Sequence, residues 1–371
     1  MRATQLLYNL GQSIWLDQIT RDLLDTGTLG RYIHELSVTG LTSNPAILER
    51  AIRTSPAYDG PIRELVTQGL KGEELFFHLA LQDLTRAADL LRPIHERTNT
   101  VDGWVSLEVS PLLAHDMQST VQAARELFAR TARPNVFIKI PGTPELLPAI
   151  EEAIFEGVPV NVTLLFSREQ YLAAAEAFMR GIERRLEAGL NPNVGSVATM
   201  FVSRWDAAVE DKVPSVLHNQ LGIAVAMRAY RAARELLTSP RWQRVCNAGA
   251  RPQRLLWAST GAKDPMASNV LYVKALAAPF TINTMPEAAL KALARQGQIG
   301  SILPADGGNC EQVLAQFAAK GVDLDALAIQ LQEEGARSYV DSWNVLMEVI
   351  RSKIARAERG QTVWTGIGGE S

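Results

Sequence analysis

Cysteine is scarce in this chain, and its scarcity excludes two classes of protein. The 371 residues include only Cys246 and Cys310, which share no CxxC spacing. A disulfide-rich scaffold needs several cysteine pairs, and a structural zinc site needs clustered thiols or imidazoles. We therefore interpret both cysteines as reduced thiols, and a single disulfide between them is the less favoured alternative.

Long hydrophobic runs and an excess of one charge are also missing. No apolar stretch approaches the roughly 20 residues of a membrane span, and the N-terminal MRATQLLYNLGQSIWLDQ lacks the apolar core of a signal peptide. The 37 basic and 40 acidic residues are well mixed and give a net charge of -3. This pattern offers no basic stripe for nucleic acid. We expect a cytoplasmic protein with neither a nucleic-acid nor a membrane partner.

What the chain does contain is a regular alternation of short apolar runs with longer amphipathic segments. The runs have the length of β-strands, and the segments have helical periodicity. The eight predicted strands are Ser13–Asp17, Thr39–Asn44, Trp104–Val109, Val136–Ile140, Val158–Leu164, Val197–Phe201, Leu255–Ser259 and Phe280–Asn283. The predicted helices between them are Arg31–Glu35, Gly72–Leu91, Met117–Arg130, Pro144–Phe155, Arg168–Ala188, Ala224–Thr238 and Ser268–Ala277.

Strand–helix alternation predicts a parallel sheet, and eight repeats predict a (β/α)8 TIM barrel. A doubly wound open sheet is the alternative α/β architecture, but no GxGxxG motif follows any strand, and we expect no cofactor. We expect two or three helices inserted after strand 2, at 45–99. A C-terminal helical extension is predicted at 286–296, 309–320 and 324–359. The whole of 1–371 is predicted to be one domain, with the barrel at about 10–285.

Polar residues follow the inward face of the predicted barrel. In NVFIKIP the valine and the two isoleucines share one face, which must meet the helices, so Lys139 points inward. The same alternation places Asp17, Glu108, Asn161 and Thr163 inside. Buried charges are expensive unless they are paired or functional, and active sites of TIM barrels lie at the carboxyl ends of the strands. A catalytic cluster is therefore predicted, with a structural ion-pair network as the alternative.

A buried lysine beside carboxylates is typical of amine catalysis. Burial is expected to lower the pKa of Lys139, which would leave more of it as the neutral nucleophile that attacks a carbonyl. A neighbouring acid can then move protons while the iminium forms. An iminium accepts electrons, so an adjacent carbon–carbon bond can break once a base takes a proton from the adjoining hydroxyl.

Several motifs in order along the chain resemble the transaldolase family. They are NVFIKIPGT, GLTSNPAIL, SLEVSP, NVTLLFS and FVSR, continued by LLWASTGAKDP and FTINTMP. The resemblance extends from about residue 10 to 350 and is closest to the longer subgroup with extra helices. It implies a Schiff base on Lys139, and a catalytic water held by Glu108 and Thr163. It also implies that Asp17 is the base at the C4 hydroxyl of the substrate.

The same resemblance implies the residues that bind substrate. Asn44 and Asn161 match amides that contact the dihydroxyacetone part, and Thr199 stands where a serine hydroxyl is usual. Arg204 matches an arginine that binds the substrate phosphate, a task suited to its guanidinium fork. Phe201 matches an aromatic residue near the catalytic water, although plain barrel packing is an equal alternative.

The phosphate end departs from the family pattern after strand 7. Many members place a second arginine there, whereas STGAK offers Ser259 and Lys263 in this chain. Lys263 is either the second phosphate cation or a surface lysine. The five histidines have no HxH or HExxH spacing, so no metal site is predicted and a zinc-dependent aldolase is disfavoured.

The resemblance implies transfer of a dihydroxyacetone unit from sedoheptulose 7-phosphate to glyceraldehyde 3-phosphate. The products are erythrose 4-phosphate and fructose 6-phosphate, as in the non-oxidative pentose phosphate pathway. One alternative is a lyase like fructose-6-phosphate aldolase, which cleaves without transfer, but such members are shorter and lack the C-terminal helices. A non-catalytic barrel scaffold is the other alternative. We expect sugar phosphates as partners, and a monomer or homodimer.

Overall fold

The structure, a computed structural model, describes residues 2–261, 267–296 and 298–359. Eight parallel strands form a closed barrel in which each strand pairs with its neighbours in chain order and β8 pairs with β1. This arrangement confirms the predicted (β/α)8 barrel. The strands are β1 (Ser13–Asp17), β2 (Val38–Thr42), β3 (Trp104–Glu108), β4 (Val136–Pro141), β5 (Val160–Leu165), β6 (Ser196–Phe201), β7 (Arg254–Ala258) and β8 (Ile282–Met285).

Helices surround the barrel and extend beyond it. Three helices, of which α6 is the longest, fill the insertion after β2, where two or three were predicted, and three more follow β8 in the described part of the chain. The helices are α1 (Ala3–Asn9), α2 (Arg21–Asp25), α3 (Thr28–Leu36), α4 (Pro45–Thr54), α5 (Asp59–Thr67), α6 (Gly72–Arg97), α7 (Met117–Thr131), α8 (Leu147–Glu156), α9 (Arg168–Glu187), α10 (Ser203–Val209), α11 (Leu221–Thr238), α12 (Pro240–Asn247), α13 (Leu271–Ala275), α14 (Glu287–Gln296), α15 (Cys310–Ala318) and α16 (Leu324–Glu358).

Most predicted boundaries agree with the structure to within two or three residues, although α6 continues past its predicted end at Leu91 to Arg97. The start of β8 shows the cause of one two-residue shift. Phe280 was predicted to begin that strand, but its φ is +63°, a left-handed conformation that a strand cannot hold. Its backbone N–H instead donates to the carbonyl of Gly11. The strand begins at Ile282 and ends at Met285. The predicted start of α9 is confirmed by a capping box between Ser167 and Gln170.

A cluster of apolar side chains fills the barrel interior on the amino-terminal side of Lys139. Trp104 stacks on Phe137 with ring centroids 4.0 Å apart, and Trp15 lies 6.3 Å from the same phenyl ring. Gly40 leaves room for the indole, because a Cβ there would lie 2.4 Å from Trp15. Val197 belongs to the same buried cluster. This apolar cluster separates the polar residues at the carboxyl end of the barrel from a second polar group at the amino end, where Arg254 donates to Ser13 and Ser13 donates to Asp102.

The helix α16 crosses the carboxyl-end mouth of the barrel. It contacts α4, α5 and α6 of the insertion and also β5. Gln332 donates from Nε2 to the carbonyls of Gly142 and Leu164, at 3.1 and 2.9 Å. The C-terminal extension is thus part of the wall of the site. Within the described ranges, no helix is long and apolar enough to cross a membrane.

Candidate active site

Lys139 and Glu108 form a buried ion pair at the carboxyl ends of β4 and β3. The two residues are register partners on adjacent parallel strands, so their inward side chains lie side by side. Nζ of Lys139 lies 2.5 Å from Oε1 of Glu108, and the side chains are 5% and 9% exposed. Nζ also donates to the carbonyl of Ser43 at 3.1 Å. The structure therefore brings together the predicted nucleophile and its predicted acid.

The ion pair favours the protonated form of Lys139 before substrate binds. Burial by itself would lower the pKa of Lys139, but the charges of Glu108, Tyr339 and Asp17 and the hydrogen bond to Glu108 together raise it. Burial raises the pKa of Glu108, while Lys139 opposes that rise. The prediction that burial lowers the pKa of Lys139 is therefore wrong for the resting enzyme. The resting site therefore favours the ammonium form of Lys139.

Asp17 supplies a second carboxyl at the end of β1. Its register partner Thr42 donates to Oδ1 at 2.8 Å, and the Thr42 hydroxyl lies 2.6 Å from that of Thr284. Burial raises the pKa of Asp17, and the positive charge of Lys139 partly opposes this. A carboxyl with a raised pKa holds a proton more readily than an exposed aspartate does.

Asn161 and Thr199 lie next to the lysine and are bonded to each other. Asn161 is the register partner of Lys139 on β5 and is fully buried. Its Oδ1 accepts from Oγ1 of Thr199 at 2.6 Å, and its Nδ2 donates to Oγ of Ser106 at 3.1 Å. Ser106 was missed by the sequence reasoning, although its alternation with Glu108 on β3 could have indicated it.

Thr163 and Asn44 flank this group in different ways. Thr163 lies opposite Pro141 on β4 and is buried, and its Oγ1 has no hydrogen-bond partner in the described part of the chain. Asn44 caps α4, since its Oδ1 accepts from the backbone N–H of Ile47 at 3.1 Å. The cap fixes the orientation of the Asn44 amide just after the carboxyl end of β2.

The predicted phosphate end lies after β6 and β7. The guanidinium carbon of Arg204 is 5.2 Å from the ring centroid of Phe201, which itself stacks on Phe166 at 5.4 Å. The hydroxyl of Ser259 lies 2.9 Å from that of Ser203, the residue that precedes Arg204 in the chain. Phe201 is thus packed in the core and also supports the arginine. Lys263 lies outside the described residues.

Tyr339 of α16 is a site residue that the sequence reasoning missed. Its ring centroid is 5.7 Å from Nζ of Lys139, and the residue is 9% exposed. Together with Gln332, Gly335 and Trp343 it has the three-to-four-residue spacing of a buried helix face. That spacing indicates packing but does not reveal which surface the face covers. Among the described residues, no group of three or more His, Cys, Asp or Glu could hold a metal ion.

Both thiols are free in the structure. Cys246 is exposed on α12 and Cys310 is buried at the start of α15. Neither residue belongs to the group around Lys139, so the candidate site depends on amine and carboxyl chemistry.

Comparison with known proteins agrees with this geometry. Residues 14–350 match the family model described as Transaldolase/Fructose-6-phosphate aldolase. The chain is 42% identical over 356 residues to a protein named Transaldolase from Frankia alni, covering 94% of this chain and 96% of the relative. A Transaldolase from Thermobifida fusca is 42% identical over 360 residues, covering 95% and 98%. Transaldolase 2 of Nostoc punctiforme is 39% identical over 364 residues, covering 93% and 95%. The chain therefore belongs to the transaldolase/fructose-6-phosphate aldolase family and is an enzyme of the transaldolase type.

Proposed function

We propose that this enzyme moves a dihydroxyacetone unit from sedoheptulose 7-phosphate to glyceraldehyde 3-phosphate through a Schiff base on Lys139. Erythrose 4-phosphate and fructose 6-phosphate are the products. The observation that carries the proposal is the buried pair of Lys139 and Glu108 at 2.5 Å, at the carboxyl ends of adjacent barrel strands. A barrel of this kind places its reactive groups at that end.

Formation of the Schiff base uses the proton shared by the pair. The Lys139 ammonium gives a proton to Glu108, and the resulting amine attacks the C2 carbonyl of the ketose phosphate. Glu108 then returns the proton to the carbinolamine hydroxyl, which leaves as water. One ammonium and one ketone thus give one iminium and one water. The hydrogen-bonded contact with Glu108 makes this proton transfer direct.

Cleavage and transfer use the second carboxyl. Asp17 takes the proton of the C4 hydroxyl, the C3–C4 bond breaks, and its electron pair moves into the iminium to give an enamine. The aldose phosphate leaves, and the enamine carbon then attacks the aldehyde of glyceraldehyde 3-phosphate while Asp17 returns its proton. The burial that raises the pKa of Asp17 favours holding this proton between the two half-reactions. Water, placed by Glu108 and Thr163, finally hydrolyses the new iminium.

Substrate binding is assigned to the polar groups around the lysine. Asn161 and Thr199 offer their mutually bonded side chains to the hydroxyls of the three-carbon unit, and Asn44 offers its amino group. Arg204 takes the phosphate, and Ser259, whose hydroxyl contacts that of Ser203, is a further proposed ligand. Lys263 is the proposed second cation at this end.

Transfer, and not simple cleavage, is the second part of the proposal. Supporting it are relatives that are named Transaldolase and match at similar length, including the C-terminal segment. The test is a coupled assay in which erythrose 4-phosphate is measured with sedoheptulose 7-phosphate alone and again with glyceraldehyde 3-phosphate. Formation only when the acceptor is present supports transfer. Equal formation without the acceptor would instead indicate a lyase.

A variant separates the chemistry from the fold. Lys139→Met removes the amine but keeps an unbranched side chain of similar length, and we expect it to abolish turnover in the coupled assay. Circular dichroism should show an intact fold, because the apolar interior cluster below the lysine is unchanged. Turnover by this variant would refute the Schiff-base assignment. A cytoplasmic location and a monomeric or dimeric state are parts of the same proposal.

A further inference from the structure

Strand β5 contains a β-bulge at its carboxyl end, close to the reactive lysine. Between the pairs that Val162 and Leu165 make with β6, two residues of β5 lie opposite one residue of β6. The two are Thr163 and Leu164, and the one is Thr199. Bulges are frequent next to active sites, where they change the direction of a side chain. This bulge includes the residue that is proposed to hold the catalytic water.

Leu164 has a backbone conformation that a bulky residue rarely adopts. Its φ is +60°, in the left-handed region. Regular alternation along the strand would direct its side chain outward with that of Val162. The side chain packs instead in the cluster of Phe166 and Phe201, and Leu165 joins the outer core. Strain of this kind persists only where the surrounding structure maintains it.

The C-terminal helix α16 supplies contacts that maintain the bulge. Gln332 donates from Nε2 to the carbonyl of Leu164 at 2.9 Å and to that of Gly142 at 3.1 Å. Its side chain thereby joins the end of β5 to the end of β4, and all three residues are buried. Three positions further along the helix, a Cβ atom on Gly335 would lie 3.0 Å from Cδ2 of Leu164. The absence of a side chain there allows α16 to pack directly on the bulge.

A second contact holds α16 to the segment that follows β5. Nε2 of Gln170 donates to the carbonyl of Ala328 in α16, at 3.3 Å. Oε1 of Gln170 accepts from the backbone N–H groups of Phe166 and Ser167, at 2.7 and 3.2 Å. Ala328 lies one helical turn before Gln332. The position of the Gln332 amide is therefore fixed by a contact that is independent of its own side chain.

The hydroxyl of Thr163 depends on the backbone of the bulge for its position. The residue is 1% exposed, and its Oγ1 has no hydrogen-bond partner in the described ranges, so within them the backbone alone places this oxygen. The carbonyl of Thr163 accepts from the N–H of Gly142 at 2.7 Å. The carbonyl of the next residue is the one that Gln332 holds. Loss of the Gln332 amide would release the bulge on that side.

We propose that Gln332 is a positioning residue, which holds the β5 bulge and thereby directs the Thr163 hydroxyl toward the place of the catalytic water. This inference rests on the proposed function, in which Thr163 and Glu108 hold that water. Gln332 takes part in no covalent step. Its effect on the reaction passes through Thr163.

The test compares Gln332→Met with Gln330→Met in the coupled transfer assay. Methionine keeps an unbranched side chain of similar length and removes the amide. Gln330 is exposed on the same helix, where its amide donates to Glu334. We expect kcat of Gln332→Met to fall on the order of tenfold, as for loss of the hydrogen bonds to two buried carbonyls, with an unchanged KM for glyceraldehyde 3-phosphate. Gln330→Met should match the unmodified enzyme.

A double-mutant cycle with Thr163→Val distinguishes positioning from general destabilisation. Valine keeps the shape of threonine and removes the hydroxyl, and Glu108 remains to support a residual turnover that more enzyme makes measurable. If Gln332 acts through Thr163, Gln332→Met should lower kcat by less than about twofold in the Thr163→Val background. An equal loss in both backgrounds, or no loss in either, would refute the positioning role.

Borohydride trapping with fructose 6-phosphate separates failure of this inference from failure of the proposed function. If the unmodified enzyme is trapped at Lys139 but the cycle shows no coupling, the positioning role alone is refuted. If the unmodified enzyme is not trapped, both the proposed function and this inference are wrong. Thermal unfolding shows whether Gln332→Met is folded at the assay temperature. If it is not, Gln332→Glu enters the same cycle, since it keeps the shape of the side chain and loses the N–H donors.

Discussion

Replacing Glu108 by glutamine removes one charge from the buried pair and keeps the shape of the side chain. The carboxylate oxygen now 2.5 Å from Nζ of Lys139 becomes a neutral amide atom. Losing one member of a buried ion pair typically costs about 3–5 kcal/mol when the remaining charge cannot be relieved. Here it can be relieved, because burial then lowers the pKa of Lys139 without the main charge that opposed it. We therefore expect a stability loss below that range at neutral pH.

The effect of Glu108→Gln on catalysis follows from the same change. More of the lysine becomes neutral amine, which helps the first attack, but the carbinolamine loses the acid that protonates its departing hydroxyl. A positioned acid–base group contributes about 10²–10⁴-fold to a rate, so we expect kcat in the coupled transfer assay to fall by that factor. Glu145→Gln is the matched control, since Glu145 is exposed in the segment after β4. If kcat of Glu108→Gln equals that of Glu145→Gln, the proton role of Glu108 is refuted.

Three further changes test other parts of the structure. Arg204→Gln should raise the KM for phosphorylated acceptors by at least tenfold, because one charge-assisted hydrogen bond to the phosphate is lost. The KM for unphosphorylated dihydroxyacetone donors should stay unchanged. Gly335→Ala should destabilise the protein and raise KM, because overpacking against Leu164 and Arg204 costs about 1–3 kcal/mol and exceeds the helix gain of about 1 kcal/mol. Asp102→Asn should lower the free energy of unfolding by about 3 kcal/mol, measured in urea, because buried Arg254 is joined to that carboxylate through Ser13. Trapping at Lys139 should survive in this variant, since Asp102 lies at the opposite end of the barrel from the lysine.

The barrel and the inward set of residues could be predicted from sequence because both depend on local periodicity. A parallel strand buried on two faces must present apolar residues to the helices, and this alone places Lys139 and Glu108 inside. Adjacent strands then bring them into register, as observed. The same rule places Asn161 beside the lysine.

Other features depend on contacts between distant segments, which periodicity does not report. Tyr339 lies 200 positions after Lys139, and its helical spacing says only that one side of α16 is buried. The pKa of Lys139 was predicted in the wrong direction because burial, its largest single influence, is outweighed by the neighbouring charges and the hydrogen bond to Glu108 together, and the sequence does not give those distances. Asn44 was expected only as a substrate ligand, and the structure shows that it also caps α4.

The most direct test of the Schiff-base account is a mass measurement at one lysine. The enzyme is incubated with fructose 6-phosphate, reduced with borohydride, and digested for peptide mapping. The account predicts the mass of a reduced dihydroxyacetone or ketose adduct on Lys139, absent in Lys139→Met. An adduct confined to any other lysine, or no adduct under turnover conditions, would contradict it.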